Sequence, residues 1–139
     1  MTGESVRDAA LKVTKAMPTA DAAISTGAID VGAVGTRDDF LAGCELLISA
    51  PALNTTMLPN ADTATYKVMM DDDVALGSAL PVYGSDVLVQ TGAGGAGADA
   101  VTKRVRLPSD VERYVFVTAT LAGGTGDASA TTLTVELLV

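Results

Sequence analysis

The sequence contains no histidine and no tryptophan, a single cysteine, and only three tyrosines and two phenylalanines in 139 residues. Each scarcity closes off a class of function. Without histidine the chain lacks the commonest general base, the usual partner of a nucleophilic serine or cysteine, and the commonest metal ligand. One cysteine, Cys44, permits neither an intrachain disulfide nor a cysteine-based structural zinc site, and it suits assembly in a reducing cytosol. It precedes the strand-like run Glu45 to Ile48 and is expected to be buried as a small hydrophobe. Few aromatics mean few platforms for sugar rings or nucleobases. Basic residues are also few, nine against seventeen acids, for a formal net charge of -8. Nucleic-acid phosphates would be repelled, so no nucleic-acid partner is expected. Long apolar runs are missing too. No stretch approaches the ~18 residues of a membrane span, and residues 1–18 lack the apolar centre of a secretion signal, so no membrane partner is expected.

What is present is a chain long enough for one domain, 48% hydrophobic, whose core must be built from Ala, Val, Leu, Ile and Met. Small side chains bury less area each, so partner contacts are expected to supply part of the stability.

Residues 1–18 stand apart. Val6, Leu11 and Val13 have weak helical spacing before Pro18, which leaves two readings: a short helix over one end of the domain, or an arm that orders on a partner. From residue 19 on, the pattern is strand, turn, strand. "AAISTGAIDVG" is β-rich, "TRDDFLAG" reads as a loop or one helical turn, and "CELLISA" is a further strand. "ATYKVMM" places Tyr66, Val68 and Met70 on one face. "ALPVYG" and "SDVLVQTG" add short strands. Near the end, Val115, Val117, Ala119 and Leu121 alternate with Tyr114, Phe116, Thr118 and Thr120. Leu133, Val135, Leu137 and Val139 alternate with Thr132, Thr134 and Glu136. These last two strands read as an antiparallel hairpin. Seven or eight strands without a fixed-length repeat predict an all-β fold, a single-domain antiparallel β-sandwich occupying residues 19–139.

Three clusters invite a chemical reading. Gly92, Gly94 and Gly97 spell the G-x-G-x-x-G of a dinucleotide loop. That loop needs a helix directly after it, whereas "AVTKRVRLP" alternates with a period of two and is stopped by Pro108, so a loop between strands is expected and no cofactor. Asp71, Asp72 and Asp73 could attract a hard cation such as calcium. The alternation and glycine of a calcium loop are missing, and a solvated turn that blocks edge pairing is the plainer expectation. Lys103, Arg104 and Arg106 fall within four positions, with Arg104 and Arg106 on one strand face. They would either pair with acids such as Asp71–Asp73 across strands or dock an acidic partner.

The order of "ISTGAIDVGAVG", "YKVMMDDD" and "LPSDVERYVFVTATLAGGTGDASATTLTVELLV" resembles the small jelly-roll cement, or decoration, proteins of tailed bacteriophage capsids. The likeness covers most of the chain from Ala22 on. It implies a jelly roll of about eight strands with no enzymatic activity. Such a protein binds the outer surface of the capsid, clamps contacts between major capsid subunits and acts as a dimer or trimer. Val6, Leu11, Val13, Arg104 and Arg106 are the expected capsid or subunit contacts. The competing expectation is a carbohydrate-binding or host-attachment module on the same scaffold; a small jelly-roll enzyme would need a buried carboxylate in a cleft.

Overall fold

The structure is a computed structural model that describes residues 11–32 and 44–138. These residues form ten antiparallel strands in two sheets and no helix, an all-β sandwich as expected. In the first sheet β1 (Lys12–Ala16), β10 (Thr132–Leu138), β4 (Glu45–Ala50) and β8 (Val101–Arg106) lie side by side in that order. In the second sheet β9 (Tyr114–Ala122) and β5 (Thr63–Asp71) are central. Both β2 (Ala23–Ser25) and β3 (Ile29–Asp30) pair with β9, while β6 (Leu80–Pro81) and β7 (Leu88–Thr91) pair with β5. Counting each short pair as one lane leaves eight lanes. Their antiparallel pairing is nested: β1 with β10, β2/β3 with β9, β4 with β8, and β5 with β6/β7.

Alternation decides which side chains meet between the layers. Leu46 and Ile48 of β4 and Leu133, Val135 and Leu137 of β10 face Ala64, Tyr66 and Val68 of β5 and Val115, Val117, Ala119 and Leu121 of β9, and all are buried. Burying each large aliphatic chain stabilises the fold by about 1.5–3 kcal/mol. Tyr66 is the one aromatic member of this core among the described residues. Cys44 is buried, as expected of a small hydrophobe, and is in no disulfide; burial pushes its thiol pKa up. Phe116 is also buried, although it points to the outer face of β9 opposite Met69.

Three sequence expectations are corrected. First, β9 and β10 are not a hairpin, since they belong to opposite sheets. Each has one strongly apolar face, and those faces meet across the core. The connection between them is pinned from below: the Asp21 carboxylate accepts the N–H groups of Gly124 (2.8 Å) and Thr125 (3.2 Å). Second, the sandwich does not start at residue 19. Residues 12–16, expected as arm or helix, form edge strand β1, paired with β10 from Lys12–Glu136 to Ala16–Thr132. The β-branched Val13 and Thr14 favour this extended form. Third, the described residues carry ten strands rather than about eight, because β2/β3 and β6/β7 are each broken by a short connection. The expected loop or turn at residues 36–43, the position of Val6 and that of Val139 lie outside the described residues.

Candidate interaction surface

The four expected contact residues that are described do not form one surface. Leu11 and Val13 are half-buried against the core, and Val13 lies opposite Val135 on β10. Arg104 and Arg106 sit on β8 at the other edge of the same sheet, with β10 and β4 between. In place of a joint site, the structure puts the two arginines beside a segment that sequence reasoning passed over.

That segment runs from Val74 to Val89 and includes β6 and β7, the edge of the second sheet that Tyr83 ties to the β8 edge of the first. The exposed large hydrophobics among the described residues, Val74, Leu80, Tyr83 and Val89, all fall within it, with Val74 69% and Val89 49% exposed. The Tyr83 hydroxyl donates to the main-chain carbonyl of Arg106 and so joins the two edges. On β7 Gln90, itself buried, accepts from the Tyr66 hydroxyl and donates from Nε2 to the carbonyls of Pro51 (2.8 Å) and Asp99 (3.0 Å). The edge is therefore firmly held and carries exposed apolar groups, and Tyr83 ties it to β8, the strand of Lys103, Arg104 and Arg106. Exposed apolar and aromatic groups beside arginine are the composition of protein interfaces.

The acids expected to pair with the arginines do not. Asp71 closes β5 in the second sheet, whereas Arg104 lies 3.6 Å from Glu45 on the neighbouring β4. Both partners are exposed, so this pair contributes under ~1 kcal/mol. Asp71 is buried and works on its own loop: Oδ1 accepts the Asp73 N–H and Oδ2 the Ser78 N–H, each at 2.9 Å. Asp73 in turn accepts the Ala75 N–H at 3.0 Å. Among the described residues no group of three or more acidic or thiol side chains is placed to hold a metal ion.

Gly92 and Gly97 also have a packing reason. A Cβ on Gly92 would stand 2.1 Å from the Pro59 carbonyl oxygen, and one on Gly97 2.0 Å from that of Leu53. The glycines let the β7–β8 connection lie against the loop at residues 51–62, and strand β8, not a helix, follows them. Between β7 and this connection runs a groove of about 340 Å³, lined by Val89, Thr91, Ala93, Ala96, Ala98 and Val101 among others. A second depression, of about 480 Å³, lies on the outer face of the second sheet over Thr65, Lys67, Asp86, Thr118 and Thr120, and no aromatic ring lines it.

No protein-family model matches this chain, and no curated protein is similar to it at a significant level.

Sequence reasoning missed Tyr83, Val89 and Gln90. The one signal was the pairing of Val82 and Tyr83 between Pro81 and Gly84, an apolar pair inside turn residues.

Proposed function

We propose that this protein is a structural component of a virus particle, a jelly-roll cement protein that binds the outer surface of a tailed-phage capsid and strengthens contacts between major capsid subunits. Its partners on this reading are the capsid protein and further copies of itself. The nested pairing of eight lanes supports the jelly-roll assignment, since a rolled-up hairpin in two sheets is what that name describes.

The observation that carries the functional reading is the concentration of exposed apolar side chains on one edge of a rigid sandwich, an edge that Tyr83 ties to the basic strand β8. A clamp works by burying surface that only the assembled shell can bury, and many symmetric copies multiply a weak contact. The absence of histidine from the sequence and the acidic net charge of -8 agree with an adhesive role on a surface remote from DNA. The test is thermal. Purified protein added to shells stripped of decoration is expected to raise their disruption temperature, and an unchanged temperature at saturating protein overturns the proposal.

The hydroxyl-lined depression over Thr65, Thr118 and Thr120 favours a second reading, a carbohydrate-binding or host-attachment module. Sugar recognition draws on aromatic faces as well as hydroxyls, and the depression has none. Specific binding on a glycan array, lost in a Thr118→Val variant, would move the assignment to that reading.

A further inference from the structure

We propose that the free edge of β7 is a docking site for an extended segment of a partner protein, one that carries small apolar side chains and a carboxylate. The inference rests on the adhesive reading of this edge and names what the edge grips.

The main-chain geometry points there first. The Gly92 N–H donates to the Asp62 carbonyl at 2.9 Å, which continues the ladder between β7 and β5. In an antiparallel ladder alternate residues turn their N–H and C=O to the same neighbour. Leu88 and Gln90, in step with Gly92, therefore face β5, and Val89 and Thr91 turn theirs away. Those groups have no hydrogen-bond partner among the described residues.

The other edges are less suited to an added strand. Both edges of the first sheet carry a lysine at an inward register position, Lys15 opposite Leu133 on β1 and Lys103 opposite Ile48 on β8. An inward charge on an edge strand opposes strand addition. At the far edge of the second sheet, β2 has three residues and β3 two, and β6 also has two. β7 offers four.

The groove supplies the side-chain terms. Its walls of Ala93, Ala96, Ala98, Val89 and Val101 leave about 340 Å³, which suits Ala, Val or Thr side chains rather than rings. Lys103 stands two residues from Val101 on the same side of β8, whereas Arg104 and Arg106 turn to the other face; Asp99 lines the groove. On a chain of net charge -8, Lys103 is the cation on the groove's side of β8, and it selects a segment with a carboxylate at the Lys103 end. Strand addition of this kind takes affinity from main-chain bonds and specificity from alternate side chains.

The experiment uses the whole chain, labelled for amide detection, and two blocked heptapeptides that alternate threonine and valine, one carrying glutamates and the other lysines at matching positions. The acidic peptide is expected to slow hydrogen exchange at the Val89 and Thr91 amides by about tenfold or more at saturation, and the basic peptide to leave them unchanged. Val89→Pro removes a free N–H without taking a bond from β5 and is expected to abolish the protection. Ala96→Glu, which adds a repelling carboxylate at a surface turn, is expected to weaken it and serves if the proline variant fails to fold. Exchange at Val89 and Thr91 that is unaffected by the acidic peptide, or affected equally by both, overturns the site. Failure here and failure of the capsid role are separable. Stabilised shells without amide protection remove the docking site alone, and protection without shell stabilisation removes the capsid role alone.

Discussion

Lys103 lies directly across from Ile48 in the register between β8 and β4, at a position whose side chains point into the sandwich. Its neighbours on that face, Val101 and Val105, pack against the core, while Lys103 stays exposed at the rim. Lys15 repeats the arrangement on β1, opposite the buried Leu133. Both open edges of the first sheet thus hold a charge that a second strand would have to bury. Replacing both lysines by valine is expected to leave the monomer folded and to make it self-associate. Light scattering against protein concentration should show the variant growing in mass while the parent does not, and a monodisperse variant would count against the guarding role.

Gln90 holds the two layers together through hydrogen bonds to Tyr66, Pro51 and Asp99. A buried polar group left without its partner costs about 1–3 kcal/mol. Gln90→Leu strands three such groups at once and is expected to lose roughly 3 kcal/mol or more of unfolding free energy in urea. Tyr66→Phe strands only the Gln90 oxygen and is expected to lose about 1–2 kcal/mol. Equal losses for the two variants would contradict the hub.

Gly97→Ala is expected to be among the most damaging small substitutions. The added carbon would meet the Leu53 carbonyl oxygen at 2.0 Å, and the backbone there has a φ of +67°. The left-handed backbone alone costs a side chain about 1–2 kcal/mol, and separating two packed loops adds to it. Gly77 has nothing within 4 Å of the same added carbon and no positive φ. Gly77→Ala is therefore expected to be neutral or to stabilise by up to about 1 kcal/mol through the unfolded chain. Thermal unfolding of both variants decides whether loop contact or mere glycine content matters.

The strands were legible because their signal is local. Val115, Val117, Ala119 and Leu121 alternate with Phe116, Thr118 and Thr120, and Leu133, Val135 and Leu137 with Thr134 and Glu136; the period of two survives whatever sheet the strand joins. Sheet membership was not legible, because two amphipathic strands close in sequence look the same whether they pair edge to edge or stack face to face. The structure chose stacking for β9 and β10. The site failed for a related reason. Val13 looked like a loose apolar contact until the register with Val135 placed it in a sheet. Within "SDVLVQTG" nothing marked Val89 as exposed: the core side of β7 carries Leu88 and the polar Gln90, whose partners come from residues 51 and 99. No window along the sequence contains that set.

Alkali should expose the strain of keeping Tyr66 dry. Burial pushes the Tyr66 phenol pKa above its ordinary value, because the charged phenolate would lose its hydration between the layers. The unfolded chain therefore gives up this proton first, near pH ~10. A folded-state pKa raised in this way leaves stability intact below the unfolded value and drains it as the pH climbs past that value. The expected result is that phenolate absorbance from Tyr66, read as the difference between the parent and Tyr66→Phe, rises together with the loss of the β-sheet circular dichroism signal. The Tyr66→Phe variant, although weaker at neutral pH, should lose less stability per pH unit above pH ~10. Ionisation of Tyr66 while the sheet signal persists would show that water reaches the core, and the close packing of β5 against β7 and Gln90 would have to be abandoned.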